Sequence, residues 1–197
     1  MEQYNDIPWK IIDMYFKNNP VALVDHHLVS YNDFFDNGIK DMLKENNPLR
    51  FIKDQDIRTK EFQHQAYLYI GGKNADKIYY GKPVIYDDND KEHIMYPNEA
   101  RLRNMTYAFT IHMDVEVDFK IKTYDEIGNV KYEHEETIIL PKIYFGKFPI
   151  MVQSDMCILK DLNPEVRFNM GECRNDLGGY FIIDGKEKVI VCQEKFA

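Results

Sequence analysis

Tyr107–Lys122 reads YAFTIHMDVEVDFKIK. Tyr107, Phe109, Ile111, Met113, Val115, Val117, Phe119 and Ile121 alternate with Ala108, Thr110, His112, Asp114, Glu116, Asp118, Lys120 and Lys122. Successive side chains of a strand point to opposite faces. This period of two therefore predicts one long strand with an apolar face and a wet face. Gly128-Asn129 supplies a turn. Val130–Leu140, with Lys131, Glu133 and Glu135 polar, predicts the antiparallel return.

Working outward toward the C-terminus, Ile143–Phe145 and Phe148–Val152 read as two more strands around Gly146. Asn163–Phe168 reads as a short helix and Gly171–Asp176 as a loop. Residues 178–194, GGYFIIDGKEKVIVCQE, form a predicted hairpin: Tyr180–Ile183, a turn at Asp184-Gly185, then Lys188–Cys192. Asp-Gly suits a two-residue turn because glycine adopts positive φ without steric cost. Toward the N-terminus, Pro97–Asn104 (PNEARLRN) reads as a helical turn. Leu49–Lys53, Ala66–Ile70, Lys77–Tyr80 and Val84–Tyr86 are short β-type runs. Gly71-Gly72-Lys73-Asn74 and the acidic Asp87–Asp90 separate some of them.

The first 47 residues differ in character. Ile7–Phe16 predicts a helix with Pro8 in its first turn and Trp9, Ile12 and Phe16 on one face, ended by Asn18-Asn19-Pro20. Ser30 opens a second predicted helix, with Asp33 in its first turn. Tyr31, Phe34, Phe35, Ile39, Met42 and Leu43 follow helical spacing through Gly38, and Asn46-Asn47-Pro48 closes it. The expected organisation is a helical segment over 1–47 and a β-rich part over 48–197. Its class is α+β, with mainly antiparallel strands and hairpins.

With 197 residues, 44% of them hydrophobic, the chain can bury a core. Its formal net charge of -8 runs opposite to that of a free-standing nucleic-acid binder. The three cysteines, Cys157, Cys173 and Cys192, form no CxxC pair and read as reduced thiols of an intracellular protein. No apolar run is long enough to span a membrane, and the N-terminal MEQYNDIPWK is not a signal peptide.

Chemistry-bearing patterns are sparse. Gly71-Gly72 lacks the frame of a phosphate loop, and there is no GxSxG or HExxH. The clusters Glu133/Glu135/Glu136 and Asp87/Asp88/Asp90 read as solvated acids, since neither has neighbouring basic groups placed for phosphate. Ser154, Asp155 and Cys157 lie together but no histidine is near them. His112 and His134 could meet across the hairpin, with Glu136, in a metal-hydrolase reading; two solvent-facing histidines is the plainer one. Arg101 and Arg103, with Lys186 and Lys188 around the hairpin, could face a nucleic-acid backbone. The arginines could equally pair with Glu99 or Glu172. The residues alone thus offer no catalytic set and no metal set, and favour a binding or assembly module.

Four stretches, in order, resemble one family: the second-largest subunit of multisubunit DNA-dependent RNA polymerases in its eukaryotic and nucleocytoplasmic-virus form. They are PWKIIDMYF with LVDHHLVSYNDFF, YYGKP with YPNEARLRNMTYAF, FGKFPIMVQSDMCIL, and GECRNDLGGYFIIDGKEKVIVCQEK. Gln153 stands where the family commonly has arginine, Asp184 where it often has asparagine, and Cys192 where it has alanine. The resemblance implies the first part of a protrusion domain over 48–197, incomplete at its C-terminal end. It implies an N-terminal piece of a longer subunit that forms part of the cleft wall during template-directed RNA synthesis.

The resemblance also implies that the whole polymerase is a nucleotidyltransferase using Mg²⁺, whereas this piece alone is inactive and holds no cofactor. The implied partners are the largest subunit, small subunits, an initiation factor of the B class, the DNA template and the RNA–DNA hybrid, with no membrane. The implied location is the nucleus for a cellular enzyme, and host cytoplasm or virion for a viral one. The alternative from another class is a stand-alone protein-binding module with a polymerase-derived fold.

Overall fold

A computed structural model describes residues 6–55, 62–87, 89, 91–124, 127 and 130–195. The chain forms two compact units. One comprises Met1–Phe34, Pro83–Ala108 and Pro149–Ala197, the other Phe35–Lys82 and Phe109–Phe148.

The second unit is built on a five-stranded sheet. Its strands are β1 (Leu49–Gln55), β2 (Phe62–Ile70), β3 (Ile78–Tyr80), β6 (Ala108–Tyr124) and β7 (Val130–Pro149). β6, the strand expected from the alternation, is the hub. It pairs antiparallel with β2 (Leu68 opposite Val117) and with β3 (Tyr79 opposite His112), and it also pairs with β7. β1 adds antiparallel to β2, with Phe51 opposite Ala66. The apolar side of β6 is buried at Phe109, Ile111, Met113, Val115 and Val117, as its period requires.

The predicted wet face is a correction. Asp114 and Glu116 are buried rather than solvated. Each has found partners that remove the cost of burial. Lys77 Nζ donates to Glu116 Oε1 at 2.6 Å. The Tyr79 hydroxyl and the Lys142 amide donate to the two oxygens of Asp114 at 3.2 and 2.8 Å. Farther along, Phe119 on the apolar side is exposed.

β7 is a second correction. The two strands expected around Gly146 are one continuous strand to Pro149, because glycine tolerates φ of 152° inside extended backbone. Asp118 faces Thr137, Lys120 faces Glu135 and Lys122 faces Glu133, so one index rises as the other falls. His112 packs beside Tyr144, one residue beyond that register. The change of parity and the left-handed Lys142 (φ 49°) mark a β-bulge. The Gly128-Asn129 turn, like Asp88, Asp90 and Ala197, lies outside the described residues.

The helices start earlier than expected. α1 spans Asp6–Asn18 and exposes all its residues, including Trp9, Ile12 and Phe16. α2 spans Asp25–Asp33. Ser30 is not its N-cap but lies inside it, its hydroxyl donating back to His27 O at 3.0 Å. A π-helical turn, Phe34–Gly38, joins α2 to α3 (Ile39–Asn46). The buried positions Tyr31, Phe35, Ile39 and Leu43 recur every fourth residue. On a regular helix each such step drifts by about 40°. The wider π turn offsets that drift. Phe35 then meets Tyr80, Phe109 and Phe148 edge-on at centroid distances of 5.6, 5.4 and 5.1 Å.

In the first unit, Tyr107 sits at the centre. Its amide donates to Ile182 O at 3.0 Å, and its carbonyl accepts from Ile150 N at 2.8 Å. Val152 N donates to Tyr180 O, so the segment after β7 runs beside the C-terminal hairpin. That hairpin is β8 (Phe181–Ile183) and β9 (Lys186–Lys188). β9 is shorter and earlier than the predicted Lys188–Cys192, because a two-residue turn at Asp184-Gly185 places Lys186 opposite Ile183. A second hairpin joins β4 (Val84–Tyr86) to β5 (Glu92–Ile94), the latter unforeseen in the sequence. α4 spans Pro97–Leu102 and α5 Pro164–Asn169, which Asn163 caps through Glu165 N.

Both residues of the Asp184-Gly185 turn have positive φ, 49° and 73°. A Cβ on Gly185 would lie 2.8 Å from Asn104 Cα. Gly185→Ala is therefore expected to destabilise the protein by roughly 1–3 kcal/mol. Phe35→Ala should cost about 3–5 kcal/mol. Urea denaturation followed by circular dichroism measures both.

Candidate functional site

The sequence singled out Arg101, Arg103, Lys186 and Lys188, and all four lie in the first unit. Arg101 is in the last turn of α4, where its guanidinium is mostly enclosed. Nη1 reaches both oxygens of Glu172 at 2.9 Å, Nε donates to Glu187 Oε1 at 2.9 Å, and Nη2 donates to the Tyr180 hydroxyl at 2.7 Å. That hydroxyl donates onward to Asp176 Oδ2 at 2.5 Å, and Asp176 Oδ1 accepts from Gly178 N at 2.8 Å. All three guanidinium nitrogens are thus engaged within the protein. Of the two acids the sequence offered, Arg101 takes Glu172.

The electrostatics follow from this geometry. Burial alone would lower the basicity of Arg101. The hydrogen bond to Glu172 and the nearby Tyr180 and Glu187 outweigh it and hold the guanidinium above its ordinary range. Tyr180 is pushed up, first by burial and then by its bond to Asp176. Burial also pushes up Tyr107, whose hydroxyl contacts Cys157 Sγ at 3.6 Å and accepts from Ile158 N at 3.2 Å, and it pushes up Tyr31.

Arg103 is half-exposed and pairs with Glu99 Oε1 at 3.2 Å, one turn back on the helix. The same oxygen lies 3.2 Å from His93 Nε2. Lys186 and Lys188 are exposed on β9 and share the face opposite to Glu187, which turns toward Arg101. The cluster therefore ties three sequence-distant segments together while leaving two lysines on the outer face of the hairpin. Sequence reasoning missed Tyr180, Asp176 and Glu187 as members. The only local signal was an acid between two lysines in KEK.

The metal-hydrolase reading fails on geometry. β7 places Glu133 and Glu135 opposite Lys122 and Lys120, so His134 lies across from Ile121, far along β6 from His112. His112 lies against Tyr144, whereas His134 stacks on Tyr132 and pairs with Glu136. Among the described residues, no group of three His, Cys, Asp or Glu side chains could hold a metal ion. Among the same residues, no helix is long and apolar enough to cross a membrane.

Glu172→Gln leaves the enclosed Arg101 with one charge partner fewer and should cost about 3–5 kcal/mol, whereas Arg103→Ala at the half-exposed pair should stay within about 0.5 kcal/mol. Thermal unfolding of the two variants distinguishes these roles. The raised tyrosines add a pH signature. A group whose folded pKa is raised contributes stability that is fully present below its unfolded value, about 10 for tyrosine, and is lost as pH rises toward the folded value. Circular dichroism and tyrosinate absorbance against pH should show ionisation of Tyr31, Tyr107 and Tyr180 only together with alkaline unfolding.

Residues 22–197 match the profile of the family described as RNA polymerase beta subunit. The chain is 34% identical over 196 residues to DNA-directed RNA polymerase II subunit RPB2 of Meyerozyma guilliermondii. It is 31% identical over 189 residues to DNA-directed RNA polymerase II subunit 2 of Arabidopsis thaliana. It is 33% identical over 189 residues to DNA-directed RNA polymerase subunit Rpo2N of Methanothermobacter thermautotrophicus. Each alignment covers 96% of this chain, which spans 15%, 15% and 31% of the length of those proteins, respectively. With its α+β fold and the four ordered stretches in place, the chain belongs to the RNA polymerase beta subunit family.

Proposed function

We propose that the chain serves as the N-terminal part of the second-largest subunit of a DNA-directed RNA polymerase, forming part of the cleft wall during template-directed RNA synthesis. The observation that carries this reading is the extent of the match. Relatives from a fungus, a plant and an archaeon, all polymerase subunits by name, align with 96% of the chain. The role is structural. The polymerase as a whole would supply nucleotidyl transfer with Mg²⁺. Among the described residues, no cluster of His, Cys, Asp or Glu fits that ion.

The Arg101 cluster supports such a role. It fixes the hairpin through charge-assisted hydrogen bonds rather than through apolar packing alone. Lys186 and Lys188 on the outer face, and Arg103 beside Glu99, are the proposed nucleic-acid-facing groups; Arg101 acts behind them as a positioning residue. The proposed partners are the largest subunit, small subunits, an initiation factor of the B class, and the DNA template with the RNA–DNA hybrid. The location follows the host: nucleus for a cellular polymerase, host cytoplasm or virion for a viral one.

The test is native purification of the chain from its source, with mass spectrometry of every co-purifying polypeptide. The expected result is recovery with the largest polymerase subunit. Recovery of a 23.5 kDa chain alone, or with unrelated proteins, overturns the reading in favour of a stand-alone binding module.

A further inference from the structure

The charged stretch that opens β7 has no part in the polymerase reading. Residues 130–136 read VKYEHEE. Lys131 is the only lysine of the chain with an apolar residue before it and an acid two places after it. Val130-Lys131-Tyr132-Glu133 thus has the form apolar–Lys–x–Glu, and Glu135 and Glu136 prolong its acidic side. Enzymes that conjugate small ubiquitin-like proteins read an acceptor of this form. The lysine is the nucleophile, and the acid meets a basic group of the enzyme.

The backbone and the neighbouring charges suit that chemistry. The segment is extended and exposed throughout, with Val130 49% and Tyr132 55% exposed. An enzyme that takes its acceptor as an extended chain has little left to order. Side chains alternate along a strand, so Lys131, Glu133 and Glu135 share one face. On that face Lys122 pairs with Glu133 and Lys120 with Glu135, whereas Lys131 has no acid partner among the described residues. Two neighbouring lysines are engaged and the third is free to react. The Lys122–Glu133 pair is near the surface, with the acid half-exposed, and such a pair yields readily to another cation.

We propose that Lys131 is an acceptor site for a small ubiquitin-like protein, delivered as the thioester of its C-terminal carboxyl group on the cysteine of a conjugating enzyme. The Lys131 ammonium loses a proton, and the free Nζ attacks the thioester carbonyl. The C–N bond forms, the C–S bond breaks, and the cysteine leaves as thiolate. An ammonium and a thioester become an amide, a thiol and one released proton, with no change of oxidation state. The site stands on Val130–Glu136 alone and is independent of the polymerase reading.

Incubation of the whole 197-residue chain with a small ubiquitin-like modifier, its activating and conjugating enzymes and ATP tests this. Mass spectrometry of the branched peptide should place one modifier on Lys131. Lys131→Arg should abolish the adduct, and Glu133→Gln should lower its rate of formation about 10-fold. Circular dichroism of both variants should match that of the unaltered chain, since both side chains are exposed. The same reaction on the complex recovered with the chain should give the same adduct. Conjugation that persists in K131R, or that spreads evenly over Lys120, Lys122 and Lys142, overturns the site. Absence of any adduct on the folded chain, or its loss in the recovered complex, overturns it as well.

Discussion

A strand in the middle of a sheet must satisfy its backbone along both edges, and in this chain that demand falls on β6. It meets β2 along Val115–Ile121 and β3 along Ile111–Met113, with β7 as a further neighbour. The placement of the other strands follows. β2 brings β1 with it as an outer strand, and β3 brings Lys77 and Tyr79 to the acids on the side of β6 that the sequence pattern would leave in water. The aromatic cluster around Phe35 then fills the side that remains apolar. Burial of Asp114 and Glu116 is thus a consequence of strand pairing, tolerated because each carboxylate is hydrogen-bonded.

The first unit solves a different problem. It has few long ladders; its hairpins are three residues on a side. Isolated hairpins of that size are marginal in water. Side-chain charge does what extended pairing does elsewhere. Arg101 connects α4 to Glu172 after α5 and to Glu187 on β9, and Tyr180 extends the connection to Asp176. Such a buried ion pair is weak as a source of net stability, but removing one partner is costly, so it selects one arrangement of these segments over others.

Much of this was legible from residue pattern. The alternation from Tyr107 to Ile121 located β6, Asp184-Gly185 located the final turn, and PNEARLRN located α4. The rest turned on partners distant in sequence. Glu92-His93-Ile94 has no apolar run, and it is a strand because Val84–Tyr86 lies beside it. Whether Asp114 would be wet depended on Tyr79 and Lys142, and whether Arg101 would face Glu99 or Glu172 depended on where α5 ends. His112 and His134 could be judged as a pair only once the register of β7 and its bulge were known. The resemblance to polymerase subunits stood on ordered stretches rather than on chemistry, which is why it survived while the metal reading did not.

The way the chain is shared between its two units has a consequence for synthesis. The unit containing β6 draws only on Phe35–Lys82 and Phe109–Phe148, so it can close as soon as Phe148 has left the ribosome. The other needs Met1–Phe34 together with residues after Pro149. Its second helix, whose Asn32 bonds Asp155 and whose Tyr31 packs beside Phe181, must therefore wait until those residues have been made. During that interval, a chaperone that binds apolar helices would find its substrate in α2.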